Sequence, residues 1–161
     1  MSRPLFIVPL ILSTFCFAQP PADPNTSASC TLDDGRQIFV RYNRVSAKSE
    51  HPANGKPWAP GGIPMTLFTE TQISLGGTII PVGAYTLYAI PGGKWTLVVN
   101  RNVTQGAPYD EKLDLARAQM EMMSLTESVP ELDLALAHTG SKCGLRIYFA
   151  KVAAVAEFVE K

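Results

Sequence analysis

The chain carries two histidines, His51 and His138, and three cysteines, Cys16, Cys30 and Cys143. A zinc site takes three or four such ligands at compatible spacing, and the one local pair here is His138 with Cys143. Cys30 could complete a three-ligand set with them, but surface histidines beside a disulfide are the simpler reading. No metal ligand and no cofactor are assigned. Carboxylates stand side by side at Asp33-Asp34 and Asp110-Glu111. Glycosidic hydrolysis needs two carboxyl groups about 5–9.5 Å apart across a cleft. Asp33-Asp34, followed by Gly35, reads better as a turn, because Asp accepts backbone hydrogen bonds two residues on and Gly supplies positive φ. Asp110 opens a short helical pattern and suits an N-cap. It is kept, with Tyr109, as a candidate ligand contact. No Gly-x-Ser-x-Gly nucleophile turn occurs, so no catalytic residue is assigned. The pairs Gly61-Gly62, Gly76-Gly77 and Gly92-Gly93 lack the Lys and the strand-loop-helix setting of a phosphate loop and read as turns.

Trp58 lies in a Pro/Gly-rich loop, where its ring must either cap the core or face a ligand. It is the third candidate binding residue. Trp95 heads a strand and is expected to pack in the sandwich or at its rim. Tyr85 and Tyr88 fall on opposite faces of one strand, one toward the core and the other toward solvent or a partner.

These residues belong to a chain of 161 residues with 14 basic and 14 acidic groups, long enough for one core. The absence of any basic run argues against nucleic acid. Arg3 precedes an apolar stretch from Leu5 to Phe17, and Cys16-Phe17-Ala18 places small residues at the −3 and −1 positions of a cleavage site. Residues 1–18 are therefore read as a signal peptide cut after Ala18, since the stretch is short of the roughly 20 residues a membrane span needs. No later segment is long enough to span. With Arg3 gone, the 14 basic groups become 13 against 14 acidic, and Cys30 and Cys143 are the two cysteines left. In an oxidising compartment they are a disulfide candidate, the alternative being two separate inert thiols. Residues 19–29, rich in Pro and Ser, read as a linker.

From Cys30 the pattern has period two. Asp33-Asp34-Gly35 separates two strand-like runs and predicts a hairpin. Met65–Thr69, Gln72–Leu75, Thr78–Ile80, Ala84–Ile90 and Trp95–Asn100 follow, divided by Gly and Pro turns. Leu132–Leu136, Leu145–Phe149 and Val155–Glu160 complete the strands. Residues 109–123 fit a helix or a strand by periodicity. The reading adopted is a helical turn near Asp110–Asp114 leading into a strand from about Ala116 to Leu125.

The run Gly76-Gly77-Thr78-Ile79-Ile80-Pro81-Val82-Gly83-Ala84-Tyr85-Thr86-Leu87-Tyr88-Ala89-Ile90-Pro91 resembles the core motif of the DUF2911 family. Trp95–Asn100, Tyr109–Lys112 and Asp114–Arg117 continue the resemblance in order, over roughly residues 30–161. The resemblance implies a secreted or periplasmic, mostly β domain, with cysteines where Cys30 and Cys143 stand. It implies no reaction. The family's Trp-Arg-x-Gly-Ala-Asn-Glu stretch is replaced here by Trp58-Ala59-Pro60-Gly61-Gly62-Ile63-Pro64, so three polar positions hold Ala, Ile and Pro. The segment 46–57 and the loop after Asn100 depart as well, which fits altered specificity or lost activity on a retained scaffold.

The expectation is an all-β chain: residues 30–161 forming an antiparallel β-sandwich or jelly-roll-like domain, with one short helical turn near 110–115. Its function would be non-catalytic binding of a small molecule, glycan or envelope protein through the loops around Trp58 and Tyr109. The alternative is a carboxylate-dependent envelope hydrolase using Asp110 and Glu111.

Overall fold

The computed structural model describes residues 26–161. The expected signal peptide at 1–18, its cleavage after Ala18 and the start of the expected linker lie outside the described residues.

Strand β1 (Thr26–Thr31) and strand β2 (Gln37–Tyr42) form the expected hairpin, with Thr31 opposite Gln37. Gly35 adopts φ 86° in the turn, and its N–H donates to the Leu32 carbonyl at 3.0 Å. The strand begins at Thr26, so residues 26–29 are sheet rather than linker. Ala28 and Cys30 alternate inward while the intervening serines face out, which is the period of a half-buried strand.

Strands β3 (Met65–Thr69), β4 (Ile73–Leu75), β5 (Thr78–Ile80), β6 (Gly83–Ile90) and β7 (Thr96–Asn100) follow at the expected places. A 3-10 turn at Glu111–Leu113, capped by Asp110, matches the expected helical turn. The strand expected from Ala116 to Leu125 is instead two, β8 (Asp114–Gln119) and the start of β9 (Glu121–Thr139), divided at Met120. Met120 is buried, and its N–H donates to the Trp95 carbonyl at 2.7 Å, which turns the chain from one sheet to the other. Strand β10 (Lys142–Glu160) completes the fold.

Two antiparallel sheets result, one ordered β1-β2-β3-β6-β7-β8 and the other β5-β4-β10-β9. Their facing sides hold Ile38, Val40, Met65, Leu67, Leu87, Leu97 and Val99 against Ile73, Leu75, Leu132, Leu145, Ile147 and Phe158. This is a β-sandwich, each strand burying alternate residues.

The long β9–β10 hairpin turns a corner. Its register slips on both sides of Ala150, which has φ 51°. Asp133 pairs with Tyr148 but Ser124 with Val152, so β9 carries extra residues and bows outward. Ser46 bridges to Glu131 in the bow, and the Ala47 N–H donates to the Pro130 carbonyl. The bend brings the two ends of β10 together. Lys142 Nζ lies 2.7 Å from Glu157 Oε2, and the Glu160 N–H reaches the Ser141 carbonyl.

Cys30 and Cys143 are joined in a disulfide with their Cα atoms 6.2 Å apart. It ties β1, an edge of the larger sheet, to β10 of the smaller one. Among the described residues no helix is long and apolar enough to cross a membrane. The disulfide fits an extracellular location.

Candidate functional site

The outer face of the larger sheet is covered over part of its width. Thr86, Tyr88, Val98 and Asn100 point away from the main core by strand alternation, yet each is at most 6% exposed. The strap of residues 101–113 that links β7 to β8 reaches Thr86, Tyr88 and Asn100. Tyr109 meets Tyr88 edge-on, with ring centroids 4.9 Å apart. Thr86 Oγ1 donates to the Asn102 carbonyl. Asn100 Nδ2 donates to the Asp110 carbonyl at 2.9 Å and to Asp114 Oδ1 at 2.7 Å, and its Oδ1 accepts from the Asn102 N–H. One buried amide thus fixes both ends of the strap.

Asp114 is the electrostatic centre of this arrangement. Besides Asn100, its carboxylate accepts from Tyr109 Oη at 2.7 Å and from Arg117 Nε at 2.7 Å. Arg117 also donates to Tyr109 Oη and pairs with Glu111. Burial, and then the neighbouring Asp114 carboxylate, push the Tyr109 phenol up to about 12. The hydrogen bond to Asp114 raises Arg117 as well. Tyr109 is therefore a neutral donor at physiological pH and Arg117 a fixed cation, a structural clasp rather than an acid–base pair. Asp110 is exposed, and its Oδ1 accepts the Lys112 N–H at 3.0 Å, as an N-cap does.

Trp58 stands at the other loop. Its ring is 5% exposed, packs against Phe149 at 4.8 Å and meets Trp95 edge-on at 5.9 Å. The Trp58 N–H donates to the Ala89 carbonyl, and Nε1 donates to Glu50 Oε1 at 2.8 Å. The same Glu50 oxygen accepts the Gly61 N–H at 3.2 Å, so it holds the 3-10 turn Pro60–Gly62 against the Trp58 ring. Gly61 and Gly62 have φ of 66° and 78°, a conformation in which a side chain would be strained. Trp58 thus closes the end of the core, and the residues just after it reach the surface.

The two loops converge. Gly62-Ile63-Pro64 on one side and Val103-Thr104-Gln105-Gly106 on the other wall a groove of about 700 Å³. Its floor is the outer sheet face beside the strap: Arg41 on β2 and Asn43 just after it, Thr66 and Phe68 on β3, and Thr86 on β6, where the strap begins to cover the sheet. Phe39 and Phe68, opposite one another across β2 and β3, stack with centroids 4.7 Å apart. The Arg41 guanidinium lies over both rings, at 5.2 Å from Phe68 and 5.8 Å from Phe39. Such a contact contributes roughly 0.5–1 kcal/mol at an exposed site. Ile63 and Val103, on opposite walls, are 53% and 56% exposed.

Other candidates do not assemble. His138 faces Cys143 across β9 and β10, but that sulfur is bonded to Cys30, so the three-ligand set does not form. His138 Nδ1 lies 3.8 Å from Asp33 Oδ1, and His51 is exposed on a loop. Among the described residues no group of three or more metal-ligating side chains is found. A second depression of about 590 Å³ beside Gly76-Gly77 includes Lys142 and Glu157, whose charges pair with one another. Trp58, Tyr109 and Asp110, the residues expected from the sequence to contact a ligand, lie on the two loops that wall the groove but do not line it, and Arg41, Asp114 and Glu50 were not among the expected site residues. For Arg41 the usable signal was its outward place in the alternation of β2, and for Asp114 its place in the Asp114–Arg117 part of the family motif; for Glu50 none was present.

A family model described as a protein of unknown function, DUF2911, matches residues 23–158. No curated protein and no solved structure matches the chain. The match spans both sheets, the strap and the two loops that wall the groove, and the chain belongs to the DUF2911 family.

Proposed function

We propose that this protein is a non-catalytic binding domain, exported by a signal peptide cleaved after Ala18, and that its ligand seat is the groove between the Trp58 and Tyr109 loops. The observation that carries the reading is the convergence of those loops on a concave surface of about 700 Å³ with mixed lining. Trp58 and Tyr109 serve it by position: one seats the 60–64 turn and the other anchors the strap, while Ile63, Val103, Thr66 and Phe68 supply contact. The carboxylates that a hydrolase would use are engaged in structure. Asp110 caps a turn, and Glu111 and Asp114 pair with Arg117.

The test is a fragment screen on isotope-labelled mature protein, read by amide chemical shifts. Hits that move residues 62–68 and 103–106 together support the reading. Hits that cluster elsewhere, or a complete absence of hits, would sink it. Mass spectrometry of the exported protein checks the leader, since a mass equal to the full precursor contradicts cleavage.

A further inference from the structure

Building on the groove as ligand seat, we infer that its ligand is a small monocarboxylate with an apolar body. Among the residues lining the groove only Arg41 is charged. Arg36, Arg44 and Arg117 each close on a carboxylate, whereas Arg41, like Arg101 and Arg146, has no such ion pair among the described residues, and of these three it alone lines the groove. Its contacts are the rings of Phe39 and Phe68. Stacking occupies a face of the guanidinium and restricts its swing, but it leaves the in-plane N–H groups free. Those groups form a planar fork that matches the two oxygens of a carboxylate. One cation with no second positive group beside it balances a monoanion; a phosphate monoester or a dicarboxylate would bring charge that the lining does not neutralise.

The rest of the ligand follows from the walls. Ile63 and Val103 are more than half exposed on opposite sides, and Phe68 lies on the floor between them. An apolar body that leaves the Arg41 end would run between these three side chains and remove their surface from water. Gln105 on the strap wall offers an amide to a polar substituent. Short aromatic acids and medium-chain fatty acids both meet this description.

The experiment titrates mature protein with 3-phenylpropionate and octanoate, and in parallel with 3-phenylpropanamide, acetate and phenylphosphonate, by calorimetry and amide shifts. Both apolar carboxylates are expected to bind in the groove, about tenfold or more tighter than the neutral amide, as a charge-assisted fork requires. Arg41→Gln should abolish that preference, and Arg41→Lys, which keeps the charge without the fork, should restore only part of it. Ile63→Ser with Val103→Ser should weaken octanoate while leaving the carboxylate-over-amide ratio in place. Arg41 is exposed, and an unchanged melting temperature would show that its variants fold. Equal binding of acid and amide in the groove overturns the carboxylate inference and leaves the groove reading standing. So does tighter binding of the phosphonate. No binding of either carboxylate up to about 10 mM, a free energy under 3 kcal/mol, overturns the inference, and the fragment screen then decides the groove separately. Carboxylate binding with shifts confined to another surface overturns both.

Discussion

Reducing the Cys30–Cys143 disulfide should cost this fold a large part of its stability. The bridge closes a loop with a sequence separation of 113 residues. In the chain-entropy treatment a loop of that length removes about 16 cal/mol/K from the unfolded ensemble, or about 4.8 kcal/mol at 25 °C. Single domains are stable by roughly 5–15 kcal/mol, so the dithiol form would lie near the lower limit of cooperative folding. For a domain of roughly 140 residues this corresponds to a fall in melting temperature of about 15–20 °C. Both sulfurs are buried, Cys143 at 0% and Cys30 at 3% exposure, so reductant must act on unfolded protein. The assay is guanidinium unfolding of oxidised and reduced wild type, followed by the fluorescence of Trp58 and Trp95, which are buried in the core. The dependence on denaturant should also be steeper in the reduced protein, because its unfolded chain exposes more surface. Comparing two redox forms of one sequence avoids the cavities that Cys→Ala changes would leave. A difference under about 1 kcal/mol with equal slopes would refute the reasoning, since the entropic effect acts on the unfolded chain whatever the native packing.

Asp114→Asn should destabilise the domain by about 2 kcal/mol, because it weakens hydrogen bonds to a charged acceptor that is 9% exposed, with a discount for Arg117 at 39% exposure. Thermal unfolding checks the magnitude, and amide shifts in residues 101–113 check that the loss is at the strap. In the same variant the Tyr109 phenol should titrate below its wild-type value of about 12, as seen by tyrosinate absorbance. Tyr42, Tyr85, Tyr88 and Tyr109 are all raised above 10, chiefly by burial. The folded state therefore holds protons that the unfolded state releases, and stability should be full below pH 10 and decline between pH 10 and about 12. A stability profile flat across that window would contradict the burial of these rings. Ala150→Val should cost about 1–2 kcal/mol, since φ 51° is least accessible to a β-branched residue; denaturant titration with no loss would argue against that corner geometry.

Strand positions from Met65 to Asn100 were legible because Gly and Pro turns punctuate them and alternation is clean. The Asp-Gly hairpin and the turn capped by Asp110 were legible through local backbone chemistry. Two features were not. The break at Met120 depends on which sheet each half of the segment joins, and an alternating sequence runs through it without interruption. The corner at Ala150 lies in an Ala/Val-rich run, 150–156, whose small apolar residues give no clear period. In the site, Trp58 was placed correctly in its loop, but whether its ring faces inward depends on Glu50, eight residues away with no local pattern to mark it. Arg41 could be assigned a face; that it forms no ion pair among the described residues is a property of the assembled surface alone.

The bent hairpin has a consequence for the order in which the molecule can form. Strands β4 and β5 join the smaller sheet only through Phe158–Glu160, the residues paired with Ile73–Leu75. As the chain is synthesised, β1 to β3 and β6 to β8 can pair with near neighbours to build the larger sheet. The short β4–β5 hairpin gains its neighbour in the smaller sheet only after more than seventy further residues have emerged. The smaller sheet thus closes as one late event of high sequence separation, a slow class of step. Until then the apolar inner face of the larger sheet lacks its cover, so a chaperone that binds exposed β surface would find its target in the nascent chain and lose it when residues 158–160 dock.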